Sequence, residues 1–141
     1  QDLVRIKLPA DANTLLAVAA HAMETTDRIE VIVAGKHPEP VFLSLPDAVE
    51  HVAAGLGVWD WAGTEESVGR VDVVLACAGD VPTGEAVAAA DIIRRHAPSV
   101  GVRVVNVVDL LSIGDPRKHD HPISDDRYDE TFLPGTPTVF A

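Results

Sequence analysis

A single cysteine, Cys77, in 141 residues rules out an internal disulfide and favours a reducing compartment. Basic residues are scarce: 11 Lys plus Arg face 22 acids, for a formal net charge of -11. Such an acidic chain is poorly suited to nucleic acid or an anionic membrane, and any phosphate site in it needs a local cation. No apolar run is long enough to span a bilayer, and the N-terminus lacks the basic-then-hydrophobic layout of a signal peptide. A cytoplasmic setting is therefore expected. A Gly-x-Ser-x-Gly elbow, a Walker loop and a His-Glu-x-x-His pair are also missing.

What is present is material for a core. Hydrophobic residues make up 47% of the chain, enough to fold one domain of ordinary size. The central signal runs from Val71 to Leu111. Two nearly continuous apolar β-formers, Val71–Ala78 and Val102–Val108, flank an alanine-rich segment of helical length. This is the pattern of a βαβ unit whose strands are buried in a parallel sheet. Thr83 is expected to cap the helix and Glu85 to sit in its first turn, with Arg94, Arg95 and His96 in its last turn. Ala86, Ala90, Ile93 and Ala97 recur at helical spacing and should face the sheet.

Before this unit, Val4–Leu8 alternates as a strand, Asp11 or Asn13 can cap a helix over 14–23, and Ile29–Ala34 is a second strand. Leu15, Leu16, Ala19, Ala22 and Met23 supply an apolar stripe on that helix. Val41–Leu43 reads as extended, and Ser44 with Asp47 and Pro46 opens a helix running to about Leu56. The Gly55–Gly63 piece is aromatic, with Trp59 and Trp61 packing on the main body, and 64–70 reads as an exposed connection. After Leu111 a polar stretch leads to a helix over 124–132, capped by Ser124, with Tyr128 and Phe132 on one side. Pro137–Ala141 begins another strand.

The fold class is α/β, with predominantly parallel sheets and flanking helices. A first βαβ unit of about 35 residues and a terminal strand leave open sheet edges. The chain thus reads as a piece of something larger: the end of one domain (1–35), an interdomain linker with one helix (36–70) and the first part of another domain (71–141).

Several residues invite a chemical reading beside a bland one. Lys36 follows the carboxyl end of a parallel strand, where open α/β sheets place ligands, and His37 could add a second anion donor. The alternative is an exposed lysine after a strand. The turn 79–84 enters a helix N-terminus, a place where backbone N–H groups bind anions. It lacks a dinucleotide fingerprint, and Asp80 would oppose a phosphate; Asp80, Thr83 and Asp109 are either one crevice or simple turn residues. His119, Asp120, His121, Asp125, Asp126 and Asp129 have metal-ligand chemistry but read more readily as a solvated acidic loop. Cys77, between alanines in a strand, reads as core.

Several blocks, in order, resemble one family. They are Leu8-Pro-Ala-Asp-Ala-Asn-Thr-Leu-Leu16, Val31-Ile-Val-Ala-Gly-Lys-His37, Val73-Val-Leu-Ala-Cys-Ala-Gly-Asp-Val-Pro-Thr83, Arg103-Val-Val-Asn-Val-Val-Asp-Leu110 and the run from Ser124-Asp to Pro137-Thr-Val-Phe-Ala141. Together they are similar to the xylulose 5-phosphate/fructose 6-phosphate phosphoketolases across essentially the whole chain. The resemblance implies an incomplete three-layer α/β/α fold of the transketolase C-terminal type for 71–141, and the end of the pyrimidine-binding domain for 1–35. It implies a longer parent that uses thiamine diphosphate and Mg2+, cleaves a ketose phosphate with inorganic phosphate to acetyl phosphate and an aldose phosphate, and forms a homo-oligomer.

Lys36 matches the family lysine that contacts the sugar phosphate. The family's next residue is usually glutamine, where this chain has His37, a change that bears on substrate fit or pH response. The stretch 119–123 also departs, reading His-Asp-His-Pro-Ile where the family usually has His-Pro-His-Gly-Leu. The family's Gly-Asp-Gly region, metal-ligating asparagine, catalytic histidines and activating glutamate match nothing in this chain. The resemblance therefore implies no catalytic, cofactor-binding or metal-binding residue here, and an inactive isolated piece. The alternatives are a transketolase-like thiamine enzyme and a non-catalytic α/β module for assembly or ligand sensing.

Overall fold

A computed structural model describes residues 3–115, 117–118 and 122–141. Strand β1 (Val4–Lys7), helix α1 (Ala12–Glu24) and strand β2 (Ile29–Ile32) form a parallel two-stranded unit, with Val4 opposite Ile29 and Lys7 opposite Ile32. Asp11 caps α1. Its carboxylate accepts from the Thr14 backbone N–H at 2.7 Å, and the Thr14 hydroxyl oxygen accepts from the Asp11 N–H at 2.8 Å. The same carboxylate accepts from the Phe42 and Leu43 N–H groups, so one side chain both starts the helix and pins the following segment.

Helix α2 (Leu45–Ala54) opens at Ser44 and closes at Gly55, whose φ of 80° is the left-handed conformation that glycine adopts without strain. It packs on α1 through Ala17, Val18, Ala48 and Val52, with Val108 beneath. The apolar stripe expected on α1 faces the other way. Leu16 is 56% and Met23 87% exposed, while Thr14, Ala17 and Val18 are buried. The small side chains let α1 approach α2 closely, and the large ones are left without cover.

The second sheet has the order β3-β5-β4-β6. Strands β4 (Val73–Cys77) and β5 (Val102–Val107) are parallel, as the apolar runs predict, and helix α4 (Asp80–His96) crosses between them. Strand β6 (Thr138–Phe140) adds parallel to β4. Strand β3 (Leu56–Val58) differs from the helix end read there from the sequence. It pairs antiparallel with β5, so the helix expected to reach Leu56 ends at Ala54, and the aromatic piece becomes a sheet edge. The 64–70 stretch also differs from its reading as an exposed connection. It contains the short helix α3 (Glu65–Val68), and Thr64 is buried, donating to Val100 O and accepting from the Val102 N–H.

Helix α4 starts at Asp80 with Gly79 as its cap, so Thr83 does not cap it and Glu85 lies beyond its first turn. Gly79 has a φ of 87°, and the sharp turn it makes leads straight from β4 into the helix. Alternation along the strands then separates two cores. Val102 and Val104 meet α4 at Ala90, together with Trp59, and Ile93 packs against the same cluster. Val74, Ala76, Val105 and Val107 meet Phe132 of helix α5 (Asp125–Phe132) on the other face. The architecture is α/β with helices on both faces of a mostly parallel sheet. Among the described residues no helix is long and apolar enough to cross a membrane.

Candidate functional site

The loop after β2 and the start of α4 close on each other at one contact. The Gly35 N–H donates to Asp80 Oδ2 at 2.7 Å, and Asp80 Oδ1 accepts from the Val81 N–H at 2.8 Å. A Cβ on residue 35 would run into the Asp80 carboxylate, so glycine is what allows the approach. A carboxylate in the first turn also suits the positive end of the helix dipole. The carboxyl ends of two parallel strands, β2 and β4, are thereby brought together.

Beside this contact lies a hollow of about 290 Å³, lined by Pro9, Asp11, His37, Glu39 and Asp80 among others. Lys36 is exposed on its border and makes no hydrogen bond or ion pair among the described residues. Lys36, His37 and Asp80 are therefore neighbours around one loop contact. The hollow itself is rich in carboxylates, with Lys36 as the lysine at its border and His37 in its wall.

Thr83 and Asp109 are not part of this arrangement. Thr83 is fully buried, and its hydroxyl donates to Gly79 O while accepting from Asn106 Nδ2 at 2.8 Å. Asn106 Oδ1 in turn lies 2.7 Å from His51 Nε2. Because the Asn106 amide donates to Thr83, its oxygen faces His51, and Nε2 carries the proton. The result is a directed chain from His51 through Asn106 and Thr83 to Gly79 O, linking α2, β5 and the α4 entry. Burial holds the His51 imidazole below its ordinary value, against the opposing effects of Asn106 and the Asp11 carboxylate. Sequence reasoning missed this network. Its one visible signal was Asn106, a lone amide in the run Val104-Val-Asn-Val-Val108, where a polar side chain needs buried partners.

Asp109 pairs with Lys7 at 2.7 Å, both side chains being largely buried, and caps the following 3-10 turn (Leu110–Ile113) by accepting from the Leu111 N–H. It ties β1 to the end of β5 rather than joining the Asp80 loop. Cys77 is fully buried. Burial pushes its thiol up, with Thr83 and Asn106 opposing, as suits a core residue. Of the expected acidic cluster, His119, Asp120 and His121 lie outside the described residues, and among the described residues no three His, Cys, Asp or Glu side chains converge on a metal-sized point.

Comparison with known proteins places this geometry in a family. A family model described as the XFP C-terminal domain matches residues 36–141. Probable phosphoketolases of Brucella suis and Streptomyces coelicolor are 51% and 52% identical to the chain over 140 residues, or 99% of its length. The chain spans 18% of each of these relatives. Among solved structures, a transketolase mutant from Pichia stipitis superposes with a TM-score of 0.68 at 17% identity, over 98% of this chain and 18% of that one. The transketolase of Leishmania mexicana gives 0.60 at 18% identity, over 99% and 18%. Identities this low establish a shared transketolase-like fold, whereas the family match extends over 36–141, from Lys36 through the Asp80 loop to the last strand: the chain belongs to the XFP C-terminal domain family.

Proposed function

We propose that this chain is part of a phosphoketolase, a thiamine diphosphate enzyme that cleaves xylulose 5-phosphate or fructose 6-phosphate with inorganic phosphate to acetyl phosphate and an aldose phosphate. The observation that carries the reading is the identity of about one residue in two with probable phosphoketolases along 99% of the chain. In this reading residues 1–35 are the end of the pyrimidine-binding domain, 36–70 lead from it into the second sheet through β3, inside the span of the C-terminal domain family match, and 71–141 carry the first part of the transketolase-like C-terminal domain. The uncovered apolar side chains Leu16, Met23, Ile29, Val31 and Val33 support it, since a larger domain would bury them. The parent is an oligomer working in the cytoplasm.

The cofactor needs a cradle from elsewhere in the parent. The chain spans only 18% of the relatives it matches, so in this reading the isolated chain is inactive, and no catalytic step is assigned to it.

Its part is substrate binding. Lys36, a point charge at the carboxyl end of β2, contacts the phosphate of the sugar, with His37 beside it, and Gly35 and Asp80 fix the loop. Such a contact acts in ground and transition states alike. In the parent enzyme, Lys36→Ala should raise the KM for the ketose phosphate about tenfold, the worth of one charge-assisted hydrogen bond, with little change in kcat. An unchanged KM removes Lys36 from the site. Acetyl phosphate formation by the parent, with thiamine diphosphate and Mg2+ present, tests the activity itself. A cofactor-loaded parent that forms none refutes the reading.

A further inference from the structure

A second cleft, of about 390 Å³, opens where the first βαβ unit meets α2, the 3-10 turn and α5. It shares no lining residue with the hollow beside Gly35. In a chain with twice as many acids as bases, its wall carries Arg5, Lys7, Arg28 and Arg127 against one carboxylate, Asp109, with His21 at the rim. Two of the cations are engaged: Lys7 pairs with Asp109, and Arg127 Nη2 donates to Leu56 O at 3.1 Å. Among the described residues Arg5 and Arg28 have no such partner.

Arg5 is the telling residue. It is 95% buried, being only 5% exposed, yet its guanidinium makes no hydrogen bond or ion pair among the described residues. Glu30 is its register partner on β2. Glu30 does not close on it, since both Glu30 carboxylate oxygens are buried with no hydrogen-bond partner among the described residues. The Arg5 nitrogens are not among the buried atoms left without a partner, so the charged head reaches the cleft while the rest of the side chain is enclosed. The face it presents to the cleft is thus a donor set awaiting an acceptor.

We propose that this cleft binds a small phosphate-bearing anion, held by Arg5 at its floor and by Arg28 and Arg127 at its sides. Guanidinium forks match the oxygen geometry of phosphate, and three of them around one cleft give several such pairs at once. The Lys7–Asp109 pair keeps one carboxylate beside the site from repelling the ligand, because its charge is already balanced. As the cleft is walled by β1, α2 and α5 together, a bound anion would also join the first unit to the second sheet.

The probe is inorganic phosphate, titrated calorimetrically into the full-length polypeptide that carries this chain. The Lys36→Ala background weakens the substrate contact proposed above, and because the proposed reaction itself takes up inorganic phosphate, only binding that changes with the arginine variants is assigned to the cleft. Arg5→Gln and Arg28→Gln are compared with that background. Phosphate should bind, more weakly as salt rises, and its affinity should fall about tenfold for each guanidinium fork removed. Arg5→Gln disturbs a buried position; Arg28 is exposed, so Arg28→Gln leaves the fold intact and reads the site by itself. Loss of affinity in either variant that keeps the unaltered urea midpoint supports the site. Absence of phosphate binding in the Lys36→Ala background, or an affinity in both arginine variants unchanged from that background, overturns it. The outcome is separable from the Lys36 reading, which rests on KM for the ketose phosphate.

Discussion

Asn106 is the joint of the His51–Asn106–Thr83 network, and replacing it tests the assigned direction of each hydrogen bond. Asn106→Ala strips His51 Nε2–H of its acceptor and leaves Thr83 Oγ1 without its donor. A buried polar group left unsatisfied costs about 1–3 kcal/mol. Thr83 still donates to Gly79 O, so most of the loss falls on His51, and with the truncated volume the total should be about 3 kcal/mol. Asn106→Asp is the sharper experiment because it changes a sign. In the unaltered chain the folded His51 value lies below 6.5. Between that value and 6.5 the unfolded state binds a proton that the folded state does not, so stability falls as pH drops through this window.

An aspartate at 106 would set a carboxylate against Nε2 and raise His51 above its unfolded value. The His51 contribution is then present below the unfolded value and lost as pH rises through the raised folded one. Urea unfolding followed by Trp59 and Trp61 fluorescence, at about pH 5.5 and about pH 8 to bracket imidazole titration, gives both results. The Asn106→Asp difference from the unaltered chain should be smaller at the lower pH. The reasoning fails if that difference is the same at both pH values, or if Asn106→Ala costs under about 1 kcal/mol, the worth of a single ordinary hydrogen bond.

Asp11 accepts backbone hydrogen bonds from Thr14, Phe42 and Leu43. Burial would raise its pKa, but these bonds outweigh that and hold it below 3.8. Asp11→Ala should cost about 2 kcal/mol by urea unfolding near neutrality. The cost should shrink as pH falls below 3.8 through the folded value, where the unaltered Asp11 is itself protonated. Arg103 holds Glu65 through two contacts of 2.7 and 2.6 Å and also donates to the Glu130 and Thr131 carbonyls, joining β5 to α3 and to the end of α5. Arg103→Met should cost about 2–3 kcal/mol. Arg103 keeps the Glu65 carboxyl below its ordinary value, so the variant should also lose less stability than the unaltered chain between about pH 5 and pH 3, measured by the same unfolding.

The sequence alone was enough for whatever depends on neighbours a few residues apart. The Asp11 and Ser44 caps, the apolar runs of β4 and β5, the helix between them and the Tyr128–Phe132 ring pair, with centroids 4.7 Å apart, all rest on one turn or on strand alternation. The Lys36 position was readable in the same way, as a glycine and a lysine at the end of a strand. Tertiary structure decided what depends on distant partners. Leu56–Val58 is too short to declare itself a strand, and became one because β5 offered an open edge. Leu15, Leu16 and Met23 suit a core, but the small face of α1 packs closer against α2. Thr83 looks like a cap and instead serves Asn106, 23 residues away. Lys7 meets Asp109 across a separation of 102 residues, and Arg5 lines the same cleft without a partner among the described residues. No local pattern records such meetings, because side-chain burial depends on which surfaces the folded chain brings together.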